Sequence, residues 1–150
     1  MEGFHMRKRV KAGLIGCGAI SPTHLRAFKE NDVELVATCD IIEERAARRA
    51  EEYGDPNTRV IIDYHDLLAI DEIELVNVAT PPALHASMSI DAMRAGKHVL
   101  CEKPCVTGVV EAEEVRRVAS ETGRLIAFLG SRLRYGRHEV AKRFIDDGDL

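Results

Sequence analysis

An apolar run, Ala12-Gly13-Leu14-Ile15, leads directly into Gly16-Cys17-Gly18-Ala19-Ile20-Ser21-Pro22. A strand that ends on two closely spaced glycines and then starts a helix has few folds open to it. Gly16 permits a tight turn at the strand end, and Gly18, lacking a Cβ, lets the main chain come close to a phosphate. The first N–H groups of the following helix, with its dipole, then supply an anion site. Ser21 stands at the third position of the G-x-G-x-x-G spacing and has the chemistry of an N-cap. Pro22 suits the first helical position, where no N–H is needed. The pattern predicts a turn that holds a dinucleotide pyrophosphate; alone, it also fits an ordinary strand-to-helix connection.

The rest of the chain narrows the choice. Apolar runs bounded by turn signals recur with amphipathic stretches between them, as in a parallel sheet covered by helices. Strands are expected at Val10 to Ile15, Glu34 to Cys39, Val60 to Ile62, Leu75 to Ala79, His98 to Cys101 and Leu125 to Leu129. Ala46, Ala47, Ala50 and Tyr53 are read as one face of the second helix, Leu84, Met88 and Ala92 as one face of the fourth, and Val115, Val118, Ala119 and Thr122 as one face of the fifth. Gly96 and Gly123 fall where helices end. Six strands with helical crossovers predict an α/β fold, a Rossmann doubly wound parallel sheet with helices on both faces. Its ligand lies outside the carboxyl ends of the strands, so functional residues are sought there.

Composition excludes other classes. The 150 residues carry a formal net charge of −4, against the basic surface that nucleic-acid binding requires. No apolar run is long enough to span a membrane and no signal-peptide core is present, so a cytoplasmic protein is expected, with no membrane partner. Residues 1–9 read as a lead-in or an expression remnant. Cys17, Cys39, Cys101 and Cys105 form no C-x-x-C pair and are read as buried, reduced thiols, with no metal site expected.

Asp40 closes the second strand about 20 residues beyond the glycine turn, where an acidic side chain can accept hydrogen bonds from an adenosine ribose. Asp40-Ile41-Ile42-Glu43 also has the form of a capping box. Apolar Ile41 and Ile42 follow the acid, with no arginine immediately after it to receive a 2′-phosphate, so NAD is preferred and NADP is the less favoured cofactor. Arg45 and Arg48 lie further along. Thr80-Pro81-Pro82 ends the fourth strand in a stiff loop able to wall a cofactor site, and His85 follows it as a surface or core histidine. The fifth strand delivers Glu102-Lys103-Pro104 to the same edge. A lysine there can exchange a proton with a substrate hydroxyl, desolvation and a nearby cationic nicotinamide favouring its neutral form.

Gly16-Cys17-Gly18-Ala19-Ile20, Asp40, Ala79-Thr80-Pro81-Pro82 with His85, and Glu102-Lys103-Pro104 follow one another in an order and spacing that resembles the glucose-fructose oxidoreductase and inositol dehydrogenase family (Gfo/Idh/MocA). The resemblance runs from residue 10 to residue 150, and Glu-Lys-Pro is its most specific element. It implies an NAD(P)-dependent oxidoreductase acting on a sugar, cyclitol or related polyol. Gly16, Gly18, Ala19 and Ile20 would cradle the pyrophosphate, Asp40 with Ile41 would bind the adenosine ribose, and Thr80, Pro81 and His85 would border the cofactor. Glu102 would contact it near the nicotinamide ribose, Lys103 would be the catalytic lysine, and Arg134 would lie near nicotinamide and substrate.

Members of that family continue into a second α/β domain with substrate contacts, a catalytic Asp and His, and usually an oligomer interface. Residues 10–130 are therefore read as the cofactor-binding domain and 131–150 as the start of the second. Neither His98 nor His138 suits the second catalytic role. The chain alone is expected to bind NAD(H), to lack turnover, and to self-associate through apolar surface near Phe144 and Leu150, in keeping with a homo-oligomer. Two other readings stay open: a non-catalytic dinucleotide-binding module or sensor, and an S-adenosylmethionine methyltransferase. The second shares the glycine turn and acidic strand end but does not account for Glu102-Lys103-Pro104.

Overall fold

Segments buried on both faces of a sheet read as near-continuous apolar runs, as Ala12-Gly13-Leu14-Ile15 does here and as Leu75-Val76-Asn77-Val78 does but for one buried asparagine. The computed structural model describes residues 9–129, 143 and 145–147. Its six strands are β1 (Lys11–Ile15), β2 (Glu34–Cys39), β3 (Arg59–Ile61), β4 (Leu75–Val78), β5 (His98–Cys101) and β6 (Ile126–Phe128). No strand end departs from its expected place by more than one residue. They form one sheet in the order β3-β2-β1-β4-β5-β6, every pair parallel. This is the doubly wound Rossmann order. The connecting helices are α1 (Ser21–Glu30), α2 (Glu43–Tyr53), α3 (Tyr64–Leu68), α4 (His85–Arg94) and α5 (Val109–Thr122), with a 3₁₀ turn at Pro82–Leu84.

The pleat of β1 divides the core into two layers. Ala12 and Leu14 pack with Leu25, Phe28 and Ala46 of α1 and α2. Ile15, on the opposite face, belongs with Leu67, Ile73, Met93, Val115 and Val118 around α3, α4 and α5. Gly13 also faces that side, where a Cβ would lie 2.8 Å from Leu67 Cδ2. Gly96 and Gly123 take positive φ just beyond α4 and α5, where helix ends were expected. No helix among the described residues is long and apolar enough to cross a membrane.

Three local readings need correction. The buried side of α2 is Ala46 with Arg49, flanked by half-buried Ala50 and Tyr53; Ala47 is exposed because it lies about 100° around the helix from Ala46. Leu84 belongs to the 3₁₀ turn and is exposed, so the inner face of α4 begins at His85. Ser21 is the first residue of α1 and not its N-cap, a position taken by Ile20. Its hydroxyl is drawn back to the Gly18 carbonyl at 2.7 Å and so caps no helical N–H. All four cysteines are buried and unpaired, and no group of three metal-binding side chains occurs among the described residues. Leu125 and Phe128, at the β6 edge, are exposed, as are Val109 and Val110.

Candidate cofactor cleft

β1 leads to β2 and β3 on one side of the sheet, and the chain then crosses to β4, β5 and β6 on the other. At this reversal, successive helices leave for opposite faces and a crevice opens beyond the carboxyl ends of β1 and β4. A cleft of about 520 Å³ occupies that place. Gly16, Gly18, Ala19 and Ile20 line one side of it, Asp40, Ile41 and Arg45 the rim, and Thr80 and Pro81 the facing wall. Ile62, Tyr64, Leu84 and Met88 complete an apolar flank. Eight of the twelve residues singled out from the sequence thus meet in one cleft.

The glycines differ in why they are glycines. Gly16 has φ +95°, and a Cβ there would lie 2.6 Å from the Ala79 carbonyl oxygen, so both backbone and packing require its absence. Gly18 has a negative φ, and a Cβ there would meet nothing within 4 Å. Its small size is not demanded by the chain itself; it leaves space open on the cleft side. The N–H groups of Gly18, Ala19 and Ile20 have no partner among the described residues, and the buried Thr80 Oγ1 across the cleft also has none. Unpaired polar groups on both walls fit a polar, anionic ligand such as a dinucleotide pyrophosphate.

Asp40 is held by two main-chain donors: Cys17 N–H reaches Oδ2 and Ile42 N–H reaches Oδ1, each at 2.9 Å. This is an Asx-type turn and not a capping box, since α2 starts at Glu43 with Ile42 as its N-cap. A carboxylate has about four lone-pair sites, so two donors leave capacity for ribose hydroxyls. Burial, reinforced by the Asp40 charge, pushes the Cys17 thiol up to about 12, and burial does the same at Cys39. Both are inert thiols at neutral pH. Burial and a hydrogen bond to Asp91 raise the Tyr64 phenol to about 12, which keeps it neutral beside the cleft.

Three further candidates, His85, Glu102 and Lys103, do not line the cleft. His85 is 1% exposed, with its ring nitrogens 2.6 Å from the Thr80 carbonyl oxygen and 2.7 Å from that of Pro104. It braces the loop after β4 against the loop after β5. Glu102 is engaged at both oxygens: His24 Nε2 lies 3.1 Å from Oε1, and Lys103 N–H donates to Oε2 at 2.8 Å. Burial holds the His24 imidazole below its usual range, against the opposing pull of Glu102, so the neutral ring donates Nε2–H to the carboxylate. Lys103 is exposed, and its ammonium has no partner among the described residues. The burial expected at this lysine is therefore not supplied by the described residues. Arg134, like His138, Phe144 and Leu150, lies outside the described residues.

His24 and Arg49 escaped the reading of the sequence. His24 falls on the helical spacing Ser21, His24, Leu25, Phe28 that α1 buries, and Arg49 falls three residues after Ala46. That periodicity was the available signal.

Residues 10–129 match the family described as "Oxidoreductase family, NAD-binding Rossmann fold", Gfo/Idh/MocA. The chain belongs to this family. Inositol 2-dehydrogenase of Salmonella typhimurium is 32% identical over 144 residues, covering 94% of this chain and 43% of the relative. A 4-carboxy-2-hydroxymuconate-6-semialdehyde dehydrogenase from Sphingobium is 34% identical over 143 residues, covering 94% and 44%. Among solved structures, a 3-ketoreductase from Actinomadura kijaniata in complex with TDP-benzene and NADP superposes with a TM-score of 0.84 at 33% identity, covering 94% of this chain and 44% of that one. The WlbA dehydrogenase from Bordetella pertussis, in complex with NADH and UDP-GlcNAcA, gives a TM-score of 0.83 at 27% identity, covering 94% and 43%. The chain thus spans less than half the length of the relatives it matches. The family uses a nicotinamide cofactor.

Proposed function

We propose that residues 10–130 are the cofactor-binding half of an oxidoreductase that moves a hydride between a nicotinamide and a carbon of a sugar, cyclitol or related polyol. One observation carries this reading: the strand-order reversal gathers unpaired N–H donors, a doubly anchored carboxylate and an unpaired lysine at a single sheet edge. The Gly16–Ile20 turn would hold the pyrophosphate and Asp40 the adenosine ribose, with Ile41 and Ile62 as apolar walls. A nicotinamide held there would supply the hydride acceptor or donor. Lys103 gives or takes the proton of the reacting hydroxyl, and His24, through Glu102, steadies the main chain that carries Lys103. Residues 131–150 would begin the substrate domain.

NAD(H) is the preferred cofactor in this reading. Two N–H groups fix the Asp40 carboxylate at the rim, where a 2′-phosphate would meet a like charge. Arg45, on the same rim, offsets part of that repulsion, so NADP(H) binds, but more weakly. Fluorescence titration of the chain with NADH and with NADPH tests the proposal. Tighter binding of NADH is expected, and failure of either to bind would end the dinucleotide reading. For the chemistry, Lys103→Met in an enzyme containing the remaining length is expected to leave cofactor affinity within a few-fold and to lower turnover about 10²–10⁴-fold. Full activity in that variant would remove Lys103 from the proton transfer.

A further inference from the structure

Arg49 is 8% exposed, on the side of α2 that faces α1, and it does not line the cleft. Its Nε–H donates to Ser21 Oγ at 2.9 Å, and Nη2 lies 3.4 Å from the Gly18 carbonyl oxygen. Ser21 Oγ in turn donates to the same carbonyl at 2.7 Å, and Ser21 N–H approaches it at 3.3 Å. Three donors therefore converge on one carbonyl, all from the protein side of the glycine turn. Nη1 is paired with Glu52 at 2.6 Å, which offsets part of the buried charge without occupying the groups that reach the turn.

We propose that Arg49 is a positioning residue for pyrophosphate binding, acting from behind the turn through Ser21. The inference rests on the dinucleotide reading given above. In a trans peptide the C=O and the following N–H point in opposite directions. Drawing the Gly18 carbonyl inward therefore turns the Ala19 N–H outward, toward the cleft that Ala19 lines. Without the tie, the 18–19 peptide can rotate and present its carbonyl to the ligand, replacing an attractive dipole with a repulsive one. A planar guanidinium suits this task because one fork reaches both the hydroxyl and the carbonyl; a lysine ammonium on a flexible stem reaches them less well.

The test compares ligands with and without a pyrophosphate. NADH is titrated into the chain by fluorescence, and ADP-ribose and adenosine are measured by competition. Arg49→Met and, separately, Ser21→Ala are expected to raise the dissociation constants of NADH and ADP-ribose about ten-fold while leaving adenosine within about two-fold. Arg49→Lys is expected to restore only part of the loss. The double variant is expected to lose little more than either single one, since both changes break one chain of contacts. If Arg49→Met unfolds, the Ser21→Ala ratio of ADP-ribose to adenosine carries the test, because that variant keeps the buried guanidinium. Equal weakening of adenosine and ADP-ribose would mean a general structural role and overturn the proposal. Unchanged NADH binding in both variants would overturn it while leaving the dinucleotide reading intact, whereas a wild-type chain that binds none of the three ligands overturns both.

Discussion

At the amino edge of the sheet, Lys11 Nζ at the start of β1 lies 2.6 Å from Glu72 and 3.5 Å from Glu34, and Arg59 at the start of β3 lies 3.1 Å from the same Glu72. At the carboxyl edge the N–H groups of Gly18, Ala19 and Ile20, the Thr80 hydroxyl and the Lys103 ammonium have no such partners among the described residues. Size does not distinguish the edges, for an open depression lined by Arg59, Asp66 and Glu72 also measures about 520 Å³. What differs is the pairing of the charged side chains: Lys11, Arg59 and Glu72 are joined, whereas Lys103 has no partner among the described residues. A parallel sheet with crossover helices sends every helix N-terminus to the carboxyl edge, so positive dipole ends collect there and unpaired donors accumulate. Of these groups the Thr80 hydroxyl is buried, and a buried polar group left unpaired costs about 1–3 kcal/mol, a penalty a ligand relieves.

The sharpest way to break this contrast is at the two glycines. Gly16→Ala would set a Cβ against the Ala79 carbonyl at a positive φ, and a loss of stability of about 1–3 kcal/mol from the backbone conformation alone is expected, with the steric clash added. Gly18→Ala meets open space, so its urea unfolding curve is expected to match the parent while NADH binding weakens. Urea titration with NADH titration separates the two. Equal destabilisation by both substitutions would mean that Gly18 is a packing residue and the cleft is not shaped for a phosphate.

Asp40→Ala is the next largest effect on function. It removes the acceptor for the ribose and also the anchor of the Cys17 and Ile42 N–H groups, so NADH affinity is expected to fall by about 1–3 kcal/mol. NADPH affinity should fall less, because a repulsive partner of the 2′-phosphate is lost with it. A variant that loses both cofactors equally would show that Asp40 acts only by shaping the turn.

The parts of this edge that were legible in the sequence are those encoded by contiguous residues. Gly16, Gly18, Asp40 and Glu102-Lys103-Pro104 each follow an apolar strand, and strand ends in this topology are sites by construction of the sheet. What escaped depends on which residues of one helix meet another element. Arg49 sits in a polar run, Arg48-Arg49, that looks solvated until α2 packs on α1, and His24 finds Glu102 across 78 positions of sequence. Ser21 was misread for a related reason. Its hydroxyl had three possible acceptors and donors, and tertiary contact with Arg49 and Gly18 decided among them.

Acid provides a milder probe of the His24 to Glu102 link. Burial lowers the folded-state value of His24 from its ordinary 6.5, so in the interval below 6.5 the unfolded chain binds the proton and the folded one does not. Stability from this residue is thus complete above about pH 6.5 and declines as pH falls toward the folded value. Urea unfolding between about pH 7.5 and 5.5 should show the wild-type chain losing more stability than His24→Gln. Parallel curves for the two proteins would mean that His24 is not held neutral.

The smallest effect is expected where the polar groups are most fully paired. Glu72 joins Lys11 and Arg59, and the Lys11 hydrogen bond holds its carboxyl below the usual range, yet all three side chains are open to water and mobile ions. Exposed ion pairs exchange one well-solvated arrangement for another, so Glu72→Gln should leave both the urea midpoint and the NADH dissociation constant within experimental error. Because these exposed ion pairs are already screened by mobile ions, adding salt should change the wild-type midpoint little, while weakening NADH binding at the opposite edge through screening of the phosphate charge. If Glu72→Gln instead altered cofactor affinity, the two edges would be coupled through β1, and the division between a satisfied edge and a receptive one would fail.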